Sequence, residues 1–187
     1  MRLFLAVTLP DEMQAGIAHA VAQAREAAPA VRWVRTGHLH LTMKFLGECP
    51  DGAVVRVAAA AQEALSAVAP FHVTVGRTGA FPNFRRPRVV WLDMHPPAPL
   101  AAVARRLDDA LAPMGFATET RPFRAHVTLG RINDAVPREQ VLSLERTLGA
   151  VHDSWTLAVR EVVLMRSTLS QEGPTYVALH HVALGGA

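Results

Sequence analysis

The chain has a single cysteine, Cys49, and a single lysine, Lys44, in 187 residues. One cysteine excludes an internal disulfide framework and any metal site built on a cysteine cluster, and the simplest expectation is a cytoplasmic protein. No apolar run approaches the roughly 18–20 residues needed to span a bilayer, so no membrane association is expected. The opening MRLFLAVTLPDEMQ is apolar at first, but it lacks a small-residue cleavage site. It runs straight into Pro10-Asp11-Glu12, as a first strand does and a signal peptide does not. Low-complexity tails and solenoid-type repeats are also missing. What is present is an apolar half of the composition, enough to build a core in one large domain or two small lobes and too much for a disordered chain. Arginine supplies every basic residue but Lys44, and the formal charge is +3. That balance tolerates an anionic ligand without demonstrating one.

Periodicity and punctuation predict strands over 2–8, 31–34, 39–46, 71–76, 88–94, 123–132, 155–168 and 175–184. Helices are predicted from Pro10-Asp11 to about Ala27, from Asp51 to about Val68, from about Leu100 to Met114 and over 137–148. The stretch GAFPNFRRPR, rich in Gly, Pro and Arg, reads as a loop.

These elements repeat. Strand LFLAV, helix, a strand bearing His40, helix and strand HVTVGRT form one half. Strand VVWLD, helix, a strand bearing His126, helix and strand VVLMRS form the other. Ala6 precedes His40 by 34 positions and Trp91 precedes His126 by 35, while Arg77-Thr78 and Arg166-Ser167 stand 89 apart. The expectation is an α+β, bilobal, pseudo-twofold-symmetric fold. Two antiparallel sheets would line a central cleft with helices outside, in a single unit with repeat halves at approximately 1–87 and 88–187.

Each half carries His-x-Thr in a strand: HLTMKFLG from His40 and HVTLGR from His126. Residues i and i+2 of a strand share a face, so His40 projects with Thr42 and His126 with Thr128. An imidazole gives or takes a proton near neutral pH, and a threonine hydroxyl donates to an oxyanion. Two such pairs facing across a cleft suit in-line displacement at phosphorus. One histidine would activate the attacking group and the other would protonate the leaving group from the opposite side.

With these motifs the chain resembles the 2H phosphoesterase superfamily, and within it the RNA 2′,3′-cyclic phosphodiesterases, also called 2′-5′ RNA ligases. The likeness extends to RLFLAVTLP, GAFPNFRRPRVVW and MRSTLSQEGPTY. The first motif departs in carrying Met43 where the family usually has Leu. The resemblance implies His40 as general acid toward the leaving ribose oxygen and His126 as general base toward water. Thr42 and Thr128 would hold the phosphate oxygens, with Arg131 supporting them. It implies no metal and no cofactor, and a monomer acting on RNA ends or nucleotides that bear a 2′,3′-cyclic phosphate. Hydrolysis would leave a 2′-phosphate, and a 5′-hydroxyl in place of water would give a 2′-5′ bond.

Other residues compete for attention. Phe84, in the Gly/Pro/Arg loop, is the candidate for stacking on a base, and Arg86, with Arg85 and Arg88, for contact with an RNA backbone. Phe45 is expected in the core, because its odd spacing from His40 places it on the opposite face of a regular strand. His72, in a third His-x-Thr, and His180-His181 are expected to be structural. His38 shares the face of His40 but, as a lone His-x-His with no third ligand nearby in sequence, makes no metal site and is assigned no role, and Ser167 and Tyr176 fit either a cleft lining or plain strand ends. Two rival functions share the same cleft: a phosphoesterase acting on another small cyclic phosphate, such as an ADP-ribose cyclic phosphate, and a nucleotide-binding protein without turnover.

Overall fold

The structure is a computed structural model that describes residues 1–170 and 173–185. Gln171 and Glu172, inside the motif MRSTLSQEGPTY, lie outside the described residues. Among those described, the strands are β1 (Arg2–Thr8), β2 (Arg32–Trp33), β3 (His40–Glu48), β4 (Phe71–Phe81), β5 (Val89–His95), β6 (His126–Arg131), β7 (Trp155–Val159), β8 (Glu161–Ser170) and β9 (Gly173–Ala183). The helices are α1 (Asp11–Ala20), α2 (Ala22–Ala27), α3 (Ala53–Leu65), α4 (Pro97–Leu111) and α5 (Arg138–Gly149). All sheet pairings are antiparallel. No described helix is long and apolar enough to cross a membrane.

Two sheets form, ordered β3-β1-β8-β9 and β2-β6-β5-β4-β7. The α+β architecture with two antiparallel sheets and outer helices is as expected. The sequence halves and the sheets do not coincide, however. Each half keeps its first strand and its histidine strand together and sends its third strand into the opposite sheet: β4 joins β5, and β8 joins β1. Helices cross over too. α3 packs on α4 behind the four-stranded sheet, and α2 packs on α5 behind the other. Exchange of strands makes neither half a separable unit.

Several boundaries differ from those read in the sequence, and three of them shape the sheets and the helices around the site. The expected helix from 11 to 27 departs from helical geometry at Val21 (φ −94°, ψ 7°), although Val21 N–H still reaches Ile17 O at 3.0 Å. The strand expected over 155–168 breaks at Arg160, where the chain leaves one sheet for the other, and the Leu184 N–H bonds Arg160 O at 2.8 Å to hold that corner. β4 runs on to Phe81, which shortens the expected loop to 82–88. A corner or an extended strand end needs partners from elsewhere in the chain, and local periodicity does not display them.

Alternation on β1 divides the molecule. Leu3, Leu5 and Val7 point into the main core with Val57, Ala61 and Leu65 of α3 and Leu100, Val103 and Leu107 of α4, all essentially inaccessible. Phe4 and Ala6 point the other way. They and Val163 of β8 are buried without joining that core, so they floor the cleft face.

Candidate active site

β3 and β6 approach one another across the two sheets, bringing the two motifs together. Each histidine has the same setting. His40 Nδ1 lies 2.8 Å from His38 O, and His126 Nδ1 lies 2.7 Å from Arg124 O. A carbonyl only accepts, so each Nδ1 carries the proton and donates it. Each Nε2 is thereby left as the unprotonated ring nitrogen, the one able to exchange a proton. Both rings are half-buried, and neither threonine hydroxyl, Thr42 or Thr128, is engaged by another group among the described residues.

Aromatic edges hold the rings. His40 lies 5.1 Å from Phe4 and 5.1 Å from Tyr176, the latter edge-on at 82°. His126 lies 5.0 Å from Phe81, edge-on at 88°. Tyr176 comes from β9, the far edge of its sheet, so that sheet must curl strongly for the phenol ring to reach β3.

The backbone after each threonine explains the rest of the site. Ala6 pairs with Thr42 and Leu5 with Lys44, so Met43 is an extra residue in β3. Trp91 pairs with Thr128 and Val90 with Gly130, so Leu129 is an extra residue in β6. Each motif therefore carries a β-bulge immediately after its threonine, and a bulge re-aims the side chains that follow it. In β6 the Leu129 carbonyl left over by the bulge accepts from Val34 N at 2.8 Å.

This overturns the expectation for Phe45. It stands five positions after His40, which on a regular strand is the buried face. The bulge restores it to the cleft face beside Phe4, where it is 69% exposed. Met43 and Lys44 take the core instead, at 5% and 7% exposure. A cation in the core needs partners, and Lys44 Nζ has two: the Asp108 carboxylate of α4 and Ala117 O at 2.8 Å. The other Asp108 oxygen accepts from Glu119 N at 3.0 Å.

Arg131 stands at the matching position, five after His126, and its bulge brings it to the cleft. Burial pushes both imidazoles below the ordinary histidine value. The donated Nδ1 hydrogen bonds oppose this, and the Arg131 guanidinium depresses both further. One cation acting on both rings is the electrostatic mark of a shared site.

Other expectations divide. His38 sits at the cleft edge with its ring 5.2 Å from Tyr176. His72 is exposed, paired across to Ala158 and far along β4 from the site. His180 and His181 are exposed, and His181 Nδ1 lies 2.9 Å from Glu161. Phe84 packs half-buried on the core and makes no ring contact with the site's aromatics among the described residues, so the exposed aromatic at the cleft is Phe45. Asn83 caps the backbone N–H groups of Arg85 and Arg86 at 3.0 and 3.2 Å, leaving the Arg86 side chain in solvent. No group of three or more metal-ligating side chains occurs among the described residues.

With its paired His-x-Thr strands the chain belongs to the 2′-5′ RNA ligase superfamily, whose family model matches residues 9–171. Among its relatives is the RNA 2′,3′-cyclic phosphodiesterase of Methanothermobacter thermautotrophicus, 32% identical over 94% of this chain and 95% of that one. The protein of that name from Thermus thermophilus is also 32% identical, over 100% of this chain and 91% of that one. Among solved structures, a Thermus thermophilus protein superimposes with a TM-score of 0.81 at 28% identity, covering 100% and 99% of the two chains. Escherichia coli LigT complexed with 3′-AMP gives 0.76 at 31%, covering 98% and 97%.

Proposed function

We propose that this protein is a metal-independent RNA 2′,3′-cyclic phosphodiesterase that opens a terminal 2′,3′-cyclic phosphate to a 2′-phosphate. The observation that carries the reading is the mirrored setting of His40 and His126: two Nδ1–H groups committed to carbonyls, two Nε2 atoms left for proton transfer and one guanidinium acting on both. The names of the relatives point the same way.

In this mechanism Thr42, Thr128 and Arg131 hold the non-bridging oxygens. His126 Nε2 takes a proton from water as its oxygen attacks phosphorus. The P–O3′ bond breaks, and His40 Nε2 gives its proton to O3′. Water's oxygen ends on phosphorus, and the ester to O2′ remains. The division of labour follows from where the nucleoside fits. Beside Thr42 stands Ala6, and beside Thr128 stands Trp91. Room for a nucleoside therefore lies on the His40 side, which puts O3′ at His40 and leaves the opposite side to water. Phe45 offers its face to the base, and the exposed Arg85 and Arg86 lie in the loop after β4, whose Phe81 is edge-on to His126. A lone buried cysteine fits a reducing, cytoplasmic setting. Monomeric action is part of the same proposal.

Burial and Arg131 depress both rings in the free protein. An anionic substrate opposes that shift and so favours the protonated His40 that the acid step needs. The test is incubation in EDTA with 2′,3′-cyclic nucleotides and with a short RNA ending in a cyclic phosphate, resolving 2′- from 3′-phosphate products. A 2′-phosphate from either supports the reading. Loss of turnover on chelation refutes metal independence. A folded protein that turns over neither substrate returns weight to the nucleotide-binding protein or to an esterase of another small cyclic phosphate.

A further inference from the structure

We propose that the four-stranded sheet carries a second phosphate subsite, formed by Arg2, Ser167 and Tyr176, for a phosphate on the 5′ oxygen of the terminal nucleoside. The proposal rests on the hydrolase reading above and goes beyond it, because it predicts which cyclic phosphates are preferred.

Register places the three residues side by side. Arg2 pairs with Ser167, and Ser167 pairs with Tyr176. On β1, Arg2 shares its face with Phe4 and Ala6, which floor the cleft. Ala6 is the rung of Thr42, where the reacting phosphate sits. Arg2 stands four positions before Ala6, about 13 Å at strand rise. An arginine side chain leaning back over that distance leaves about the span of one nucleoside between the two phosphates. The intervening rung is Phe4 and Phe45, an apolar floor and an exposed aromatic wall.

Charge agrees with register. Burial raises the Tyr176 phenol, and two cations pull it back: Arg131 from the reacting end and Arg2 from the other. Tyr176 thus feels both guanidinium groups, one from each end of this face. Arg2 has no carboxylate partner among the described residues. Its neighbour on the other flank is Glu48, the one acid on that rung, and the Glu48 carboxylate is 79% exposed and turned to the Met1 amino group at 3.6 Å. A guanidinium fork with a serine and a phenol hydroxyl suits the several oxygens of a phosphate. The other sheet offers no counterpart. Trp91 fills the position of Ala6, lying so close on Gly79 that a Cβ there would come within 2.2 Å of its ring, and Phe81 stacks on it at 4.9 Å.

The test compares kcat/KM for three substrates: a nucleoside 2′,3′-cyclic phosphate with a free 5′-hydroxyl, the same compound with a 5′-phosphate, and a dinucleotide ending in the cyclic phosphate. The 5′-phosphate should raise kcat/KM about tenfold or more, the worth of a charge-assisted hydrogen bond or two. In Arg2→Ala and Ser167→Ala the ratio of phosphorylated to unphosphorylated substrate should fall toward one, with Arg2→Lys between. A gain for both the monoester and the dinucleotide assigns the subsite to an RNA backbone. A gain for the monoester alone assigns it to free 5′-phosphorylated nucleotides. Equal kcat/KM for all three, or a ratio untouched in Arg2→Ala, refutes the subsite while leaving the hydrolase reading in place. No turnover of any of the three refutes the hydrolase and the subsite together.

Discussion

The two lobes are alike around their histidines and unlike where a ligand would rest. Each has a histidine whose Nδ1 is committed to the carbonyl two residues back, a free threonine hydroxyl, and a bulge directly after that threonine. Around this common frame the equivalent positions diverge. Ala6 faces Trp91, Phe45 faces Arg131, and the histidines pair across to Thr8 in one lobe and Asp93 in the other. One lobe thus has a small residue and an exposed aromatic at these positions, and the other has a filled aromatic wall with a cation. In the proposed mechanism symmetry supplies acid and base on opposite sides of phosphorus. In that mechanism the broken symmetry gives the site a direction, because the nucleoside is assigned to the His40 side and that assignment selects which oxygen leaves.

The comparison can be broken at several depths. Replacing either histidine tests the shared frame. His40→Ala and His126→Ala should each lose about 10²–10⁴-fold in kcat or more with unchanged thermal unfolding, while His72→Ala keeps full activity. A His72 variant as impaired as the others would sink the pairing. The lobes also differ in how their ion pairs are buried. Lys44–Asp108 has side chains only 5% and 18% exposed, whereas Arg77–Asp93, with Arg77 80% exposed, lies at the surface. Lys44→Ala strands a largely buried carboxylate and should cost about 3 kcal/mol in urea unfolding; Arg77→Ala should cost under about 1 kcal/mol. Equal costs would mean that the buried tie does not hold the β3 bulge.

Phe45→Ala should raise KM for a cyclic nucleotide with little change in kcat, by the roughly 1–3 kcal/mol that stacking on one base contributes, and Phe84→Ala should not. The opposite pattern would restore Phe84 as the stacking residue. The smallest effect is a shift in pH. Catalysis needs one histidine protonated and the other neutral. Both are depressed by burial and by Arg131, so the bell-shaped kcat/KM profile of the free enzyme should centre on the acid side of the ordinary histidine value. Arg131→Met removes the cation that disfavours the protonated rings, so the bell should move toward higher pH. A shift to lower pH, or none, would place Arg131 outside the shared site.

Phe45 and Arg131 show how far local reading extends. Both stand five positions after a motif histidine. Parity on a regular strand assigns both to the buried face, yet the family resemblance sets Arg131 at the phosphate while parity alone sets Phe45 in the core. The shared spacing is itself a signal that both strands are irregular in the same way. Lys44 is a second one: the chain's only lysine, in a strand otherwise apolar, has to find partners wherever the strand goes. The pairing of Ala6 with Thr42 and of Trp91 with Thr128 matches the repeat spacings read from the chain, so the pseudo-twofold frame was legible. The exchange of β4 and β8 between sheets was not, because a strand's pattern records which of its faces is buried and not which neighbour it joins.

The order of residues alone was enough to establish the repeat, the two His-x-Thr pairs, the strands that bear them and the chemistry those residue types can perform. These follow from composition, period and spacing, which are local properties of a chain. Tertiary structure decided which side chains surround that chemistry. It put Phe45 in the cleft and Phe84 against the core, brought Tyr176 from the far edge of a curled sheet to His40, and gave Arg131 both histidines. Each of those outcomes depends on a bulge, a crossover or a sheet's curvature, and these arise from contacts between residues distant in sequence.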